Sequence, residues 1–250
     1  MKVLIFVVAL FAVAAGEFCY SSTKLSCDQD TTKGVNCTAA YGLAHNYIRD
    51  LQIYANMHIT RNFQYLLMSS HFGNYRKERE GFKKLYRKLS DTAWQDAIDL
   101  IKYIAMRGGK MDFHYDEDGS DVTVEVSPHA VEHGLEGSRR EGRILSALMA
   151  LEGDDVRSTI AMSELESLGK SLDIQKKLAL KAHEIYKASH RHDPEISDYV
   201  EDKFMHKHAK TIRNLAGYTR DLSRLLEGEK DTSAVGLKLF ILDSYLEKVV

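Results

Sequence analysis

The spacing of apolar residues divides the chain into five stretches. Within each stretch, apolar side chains recur three or four positions apart, which places them on one face of an α-helix. The periodicity is lost between residues 112 and 159. Because the chain of 250 residues also contains two prolines in all, it is predicted to be all-α. The predicted helices cover residues 43–70, 76–106, 160–189, 194–226 and 232–248.

The order of these helices predicts how they pack. A pair of long helices, a long crossover and a second pair is one of the established wirings of a four-helix bundle. Gly73 interrupts the first pair, Gly108 follows its end, and Pro194 suits the first position of the fourth helix. The short fifth helix is apolar on most sides, so we expect other subunits to bury it.

Several polar residues occupy positions that a plain bundle fills with leucine or isoleucine. His58 and Tyr65 lie on the apolar face of the first helix, Asp96 on that of the second, and His208 on that of the fourth. Buried polar groups need hydrogen-bond partners whether or not a metal is present. The pattern therefore predicts a polar cluster inside the bundle. Its side chains either hydrogen-bond to one another or bind a metal ion.

The first residues have the order of a signal peptide. Lys2 precedes an uncharged apolar run from 3 to 15, and small residues follow before Glu17. We interpret 1–16 as a signal peptide, with a buried N-terminal helix as the alternative. We therefore predict that the protein is secreted.

Residues 17–42 form a predicted arm that contains all three cysteines, Cys19, Cys27 and Cys37. In an oxidising compartment an odd number of cysteines suggests one internal disulfide and one bridge to another chain, with a free thiol as the alternative. Asn36 begins an Asn-Cys-Thr glycosylation sequon.

The charge of the chain limits its partners. The formal net charge is −2, so the composition argues against a nucleic acid or an anionic membrane surface as a partner. Apart from the short N-terminal run, no stretch of the sequence approaches the length and hydrophobicity that a membrane-spanning helix requires.

Four segments of the sequence resemble the ferritin family. Residues 82–110 resemble its second helix and closing turn, and His192, Asp193 and Pro194 resemble the start of its fourth helix. Residues 209–215 continue that helix, and 239–246 resemble the fifth. The signal peptide and cysteine arm are similar to those of secreted insect ferritins. The resemblance implies a ferritin-like four-helix bundle over 43–250, with an extended crossover at 112–159 and a short fifth helix.

The resemblance also indicates which residues stand at the family's iron-oxidising centre. Ferritins with ferroxidase activity hold two irons with a glutamate on the first helix, a Glu-x-x-His pair on the second, a glutamate on the third and a glutamine on the fourth. Only the neighbouring tyrosine position is kept, as Tyr65. The ligand positions fall, in chain order, at His58, Ala93 and Asp96, Asp173 or Ile174, and His208.

Ala93 stands where the bridging carboxylate is required, so the resemblance implies a degenerate centre. Subunits of that kind are the light type, which is not an enzyme. The alternative is a remodelled single-metal or weakly oxidising site made by His58, Asp96 and His208, because imidazole binds several metals.

Two further groups of acidic residues gain a role from the resemblance. Asp198 and Glu201 match positions that line the iron-entry channel at the threefold axes of the shell, where carboxylates attract divalent cations. Asp91 falls at a position where light-type subunits promote mineral nucleation, although lysines surround it.

We therefore expect a light-type structural subunit of a secreted iron-storage shell. Iron would pass as Fe²⁺ and be stored as Fe³⁺ mineral. The chain would assemble with itself and with heavy-type subunits that oxidise Fe(II), and the unpaired cysteine would link the two types. A monomeric helical carrier is a third hypothesis, which the apolar fifth helix disfavours.

Overall fold

The structure, a computed structural model, describes residues 38–113, 163–228 and 231–250. All the regular structure in these ranges is helical, as the sequence predicts. The signal peptide, Cys19, Cys27, Cys37, Asn36 and the crossover from 114 onward lie outside the described residues, and their interpretations stay predictions. The helices are α1 (Ile48–Phe72), α2 (Glu80–Met106), α3 (Glu164–Ser189), α4, which runs continuously through Pro194–Val200, Glu201–Met205 and His206–Leu226, and α5 (Thr232–Val249).

The four long helices form a bundle of two antiparallel pairs. Polar contacts record the direction of the first pair, because Asn62 of α1 bonds Ser90 of α2 while Ser69 bonds Lys83. α3 packs along α4, and α1 also packs on α3. One core of apolar side chains fills the space between the helices. It includes, among others, Leu51, Tyr54, Phe72, Phe82, Leu100, Leu168, Leu178, Phe204 and Leu215.

The start of each helix in the first pair differs from its prediction. α1 begins at Ile48 rather than 43, because the chain first makes a 3₁₀ turn over Ala44–Asn46. α2 begins at Glu80 rather than 76. The side chain of Asn74 accepts the N–H groups of residues 76 and 77, which holds a turn where the apolar pattern alone suggested helix.

The second pair shows the sequence signals that begin helices. Ser163 and Glu166 form a reciprocal capping box at the start of α3. Asp193 caps α4, with Pro194 as the first helical residue, as predicted. Within α4, Glu201–Met205 widens into a π-helical turn that the sequence analysis did not anticipate.

A buried arginine joins the end of α2 to the start of α4. The Arg107 guanidinium is 1% exposed and makes a bidentate pair with Asp193, at 2.8 Å and 3.2 Å. It also lies 3.1 Å from a carboxylate oxygen of Glu195. The ring of Tyr41 covers it with its centroid 4.4 Å away, and the Tyr41 hydroxyl donates to Glu195. The described end of the arm is therefore fixed at this junction.

α5 lies across the start of α2 and also touches α4. The buried carboxylate of Asp243 accepts the backbone N–H of Phe82 at 3.0 Å, which satisfies a donor in the first turn of α2. Leu242 and Leu246 are buried beside it. The outward face of α5 remains apolar and at least 47% exposed within this chain, at Leu237, Phe240, Ile241, Tyr245 and Val249. Among the described residues, none of the helices has the length and hydrophobicity to cross a membrane.

We expect Gly81→Ala to loosen α5. A Cβ at Gly81 would lie 2.0 Å from the carbonyl oxygen of Asp243, and a backbone atom cannot move aside as a flexible side chain can. Overpacking of this kind costs about 1–3 kcal/mol. Thermal unfolding and the size of the assembled particle measure the effect. The matched control is Gly169→Ala in α3, where nothing lies within 4 Å and a helical alanine is expected to stabilise. Equal stability of the two variants would contradict this account of α5.

Candidate functional site

A cluster of buried polar side chains lies at the centre of the bundle, where α1, α2, α3 and α4 face one another. We call it the central cluster. Every member except the amide is a residue type that titrates or binds metals, and each is at most 6% exposed. Its members are Tyr54, His58, Tyr65, Asp96, Gln175 and His208.

A chain of hydrogen bonds crosses the cluster, and its direction can be assigned. The Tyr65 hydroxyl lies 3.5 Å from the carbonyl oxygen of Ser171, to which it donates, and it accepts from Nε2 of Gln175 at 3.0 Å. Oε1 of that amide faces Nδ1 of His208 at 3.2 Å, so Nδ1 carries the proton. Nε2 of His208 is then the acceptor for the Tyr54 hydroxyl at 2.7 Å. The imidazole of His208 is neutral with both nitrogens engaged.

His58 differs from His208 in its hydrogen bonding. Its side chain is 1% exposed, and neither ring nitrogen has a hydrogen-bond partner among the described residues. Nδ1 lies 3.8 Å from Oδ2 of Asp96, which is too long for a hydrogen bond. Burial, followed by the nearby His208 and Lys207, holds the pKa of His58 well below its ordinary value. His58 is therefore neutral.

Asp96 is held by a lysine that the sequence analysis did not include. The ammonium of Lys207 on α4 bonds Oδ1 of Asp96, and its stem reaches the cluster from the half-exposed side of the helix. Burial raises the pKa of Asp96, while the hydrogen bond from Lys207 opposes that rise. The positive charge nearest to this carboxylate is thus an ammonium group of the protein itself.

The structure brings together most, though not all, of the residues singled out in the sequence. His58, Tyr65, Asp96 and His208 meet in the cluster, and Ala93 is buried near them with no carboxylate to offer. Asp173 does not join them, because its side chain is exposed on the outside of α3, and the alternative, Ile174, belongs to the apolar core.

α3 contributes Gln175 where the sequence analysis placed Asp173. The heptad spacing of the buried face of α3 signals this assignment. The face runs through Leu168, Ser171, Gln175, Leu178, Ala182 and Ile185.

The nitrogen and oxygen atoms of the central cluster determine whether a metal ion could bind there. In the part of the chain that the structure describes, no three His, Cys, Asp or Glu side chains are arranged to hold a metal ion. The physical reason is local: both nitrogens of His208 are engaged, Oδ1 of Asp96 is bonded to Lys207, and Ala93 has no donor. His58 alone has free nitrogens here.

The remaining predicted site residues lie at the surface. Asp198 is exposed and Glu201 half-buried, and their spacing of three puts them on one face near the start of α4. Asp91 is exposed but pairs with Arg87 at 3.1 Å. It lies in a groove of about 630 Å³ whose other lining residues are mostly cationic: Lys83, Lys84, Arg87, Lys88, Thr92, Gln95, Lys207 and Val250. Positive charge therefore surrounds Asp91, and its part in mineral nucleation stays a prediction.

Acidification is expected to destabilise the fold through its neutral imidazoles. Burial lowers the pKa of His208 to about 4, below its ordinary value of 6.5. Between these values the unfolded chain binds the proton and the folded chain does not, so stability falls as pH drops from 6.5 towards 4. The loss attributable to His208 is about 3 kcal/mol. His58 shifts in the same direction.

Denaturant unfolding at pH 7 and pH 4.5 measures this loss. His208→Gln keeps an acceptor for Tyr54 but does not titrate, so its stability should fall less between the two pH values. The control is His206→Gln, an exposed histidine two residues earlier on the same helix. The interpretation fails if both variants retain the full pH dependence of the unmodified chain.

Comparison with known proteins agrees with this geometry. The family model described as a ferritin-like domain matches residues 48–225. A ferritin light chain of Trichoplusia ni is 35% identical over 100% of both chains, and a ferritin light chain of Drosophila melanogaster is 30% identical over 93% of this chain and 90% of its own length.

A solved structure shares the fold as well. The crystal structure of the Trichoplusia ni secreted ferritin superposes with a TM-score of 0.72 at 34% identity, covering 93% of this chain and 99% of the other. The family match spans more than half of the chain, and the light-chain relatives align along nearly all of it. Together with the five-helix bundle and its central polar cluster, these likenesses show that the chain belongs to the ferritin family.

Proposed function

We propose that this chain is a light-type subunit of a secreted iron-storage shell, which builds the wall and leaves the oxidation of Fe(II) to heavy-type partner subunits. The main support for this proposal is that the central cluster differs at two positions from what a two-iron centre requires. Ala93 stands where a two-iron centre needs a bridging carboxylate, and Lys207 pairs with Asp96. Two iron ions would have to displace that ammonium and would still lack their bridge.

The names of the relatives support the same division of labour. Two of the proteins that it resembles along nearly its whole length are called ferritin light chains, and the solved relative is a secreted ferritin. Secretion of this chain agrees with the predicted signal peptide at 1–16. An intersubunit bridge by one of Cys19, Cys27 and Cys37, and glycosylation at Asn36, are part of the same proposal.

Assembly into a shell accounts for the outer face of α5. Five large apolar side chains stand about half exposed on one short helix, which a monomer would leave in water. Neighbouring subunits, identical or heavy-type, are the proposed cover. The inner face of α5 is already used by Asp243, Leu242 and Leu246, so its outer face is the one left for partners.

The proposed function makes a prediction about oxidation. The chain expressed alone should assemble but oxidise Fe(II) no faster than protein-free buffer, and it should accumulate mineral when assembled with a heavy-type subunit. Absorbance at the wavelength of ferric species, recorded by stopped flow, measures the oxidation. A heavy-type shell alone is the positive control. Rapid oxidation by the chain alone would show that the ligands have been replaced rather than lost.

One observation favours a second candidate, a remodelled single-metal site. His58 is buried with two unpartnered nitrogens beside Asp96, and such groups usually have partners. Isothermal titration of the chain with Zn²⁺ separates the two candidates. The light-type proposal expects the titration curve of His58→Ala to match that of the unmodified chain. A site lost in His58→Ala and strengthened in Lys207→Gln, which frees Asp96, would favour the second candidate.

We also propose that Asp198 and Glu201 line the channel through which Fe²⁺ enters. Both carboxylates are accessible near the start of α4, and symmetry would bring several copies together. Asp198→Asn with Glu201→Gln should slow iron uptake by mixed shells about 10-fold at low salt, because the attracting charge is removed. Added salt should narrow the difference.

Uptake is followed as iron retained after gel filtration, with particle size confirming assembly. The matched control is Asp221→Asn, which removes one exposed carboxylate near the other end of α4. An equal reduction in the control, or none in the double variant, would remove these residues from the entry route.

A further inference from the structure

One face of α4 carries a row of basic side chains that takes no part in the central cluster. Successive members are three or four residues apart, or seven apart across Gly217, so they lie on the same side of the helix. All of them are exposed. We call this set the basic row, and its members are His206, Lys210, Arg213, Arg220 and Arg224.

The lysine and the arginines of the basic row have no ion-pair partner among the described residues. The groove on α2 is different, because Lys84 pairs there with Glu247 at 2.9 Å and Arg87 with Asp91 at 3.1 Å. Like charges at these spacings repel one another along a helix. The charge of the basic row is therefore available to an anion from outside the chain, which would also relieve the repulsion.

Gly217 leaves an open space in the middle of the row. Arg213 and Arg220 are seven residues apart, which separates them by about 10.5 Å along the helix axis and by only about 20° around it. Gly217 lies between them, and a Cβ built there would find no atom within 4 Å. A ligand above the glycine can approach the helix backbone closely, with a long, flexible arginine side chain on either side of it.

We propose that Arg213 and Arg220 bind a tetrahedral oxyanion of the phosphate type above Gly217. A guanidinium group presents a planar fork of N–H donors that matches two phosphate oxygens, and it stays protonated at neutral pH. Two such groups balance the charge of the phosphate dianion. Lys210 and Arg224 each lie about one turn beyond an arginine of the site, so they add positive charge at both ends.

One carboxylate lies at the edge of the proposed site. Asp221 is exposed and follows Gly217 by four residues, which places it about 40° away around the helix. It has no ion-pair partner among the residues that the structure describes, so its negative charge is not neutralised locally. It opposes an anion above Gly217, and its removal should therefore strengthen binding.

Equilibrium dialysis of the assembled, iron-free chain against radiolabelled inorganic phosphate at low ionic strength tests the proposal. The unmodified chain should bind phosphate saturably. Arg213→Gln with Arg220→Gln should weaken binding about 10-fold or more, because two charged donors are lost. Gly217→Leu keeps both arginines but fills the space between them, so it should weaken binding as well. Asp221→Asn should strengthen binding about twofold.

Two controls separate the site from general effects. Lys176→Gln with Lys177→Gln removes two exposed cations from α3, and Gly169→Leu places the same side chain at a helical glycine with open space around it. Both controls should bind phosphate as the unmodified chain does. Circular dichroism and particle size establish that each variant is folded and assembled.

Three results would overturn the proposal. The first is an unmodified chain that binds no phosphate. The second is equal weakening by the arginine and lysine double variants, which would show attraction by net charge alone. The third is unchanged binding in Gly217→Leu. Since no iron is added, each of these results is separate from the question of light-type function.

Discussion

The ion pair between Arg107 and Asp193 is the constraint on which the arrangement of the bundle depends. It connects the last turn of α2 to the first turn of α4, two points separated in the chain by the crossover and the whole of α3. A guanidinium this deeply buried stabilises the fold only when its charge is paired. Here two carboxylates bond its terminal nitrogens and the ring of Tyr41 covers it, while Nε has no hydrogen-bond partner among the described residues. The same Asp193 caps α4, so one side chain sets both the start of that helix and its position against α2. Losing Arg107 would leave the carboxylate of Asp193 in the interior without its cation, at a cost of about 3–5 kcal/mol.

With the helices fixed in this way, the central cluster shows how a bundle keeps a polar interior without relying on a metal for charge. Lys207 neutralises Asp96, and Gln175 connects Tyr65 to His208 through both ends of its amide. These contacts give most polar groups of the central cluster a hydrogen-bond or charge partner. His58 is the exception in the cluster, because neither of its buried ring nitrogens has a hydrogen-bond partner among the described residues, which costs free energy.

Much of this could be predicted from the sequence, and the failures have physical reasons. The spacing of apolar residues predicted the five helices. It also placed His58, Asp96 and His208 in the interior of the bundle, because the spacing of residues determines which of them share the buried face of a helix. The predicted starts of α1 and α2 were wrong. A 3₁₀ turn precedes α1, and the side-chain hydrogen bonds of Asn74 hold a turn before α2, so local structure competes with the helix at both places. The contact of Lys207 with Asp96 was not predicted, because Lys207 lies on a half-exposed face of α4. Helical spacing does not show that its flexible side chain bends towards the core. The resemblance placed the third-helix ligand position at Asp173 or Ile174, whereas the heptad spacing of the buried face of α3 brings Gln175 into the cluster.

The π-helical turn in α4 explains how one helix carries the surface carboxylates of Asp198 and Glu201 and also faces the central cluster. The buried residues Ile196, Val200, Phe204 and His208 follow one another at steps of four, and in a regular α-helix each such step drifts by about 40° around the axis. Three steps would carry His208 about 120° away from the face that begins with Ile196. The wider turn over Glu201–Met205 absorbs this drift, so that His208 still faces Tyr54 while Lys207 reaches Asp96 from the side. Glu201 stands at the start of that turn, with Asp198 one turn earlier. A change that restored regular α-helix there would rotate His208 out of the core, and the cluster would lose its hydrogen-bonded chain even though every residue in it was unchanged.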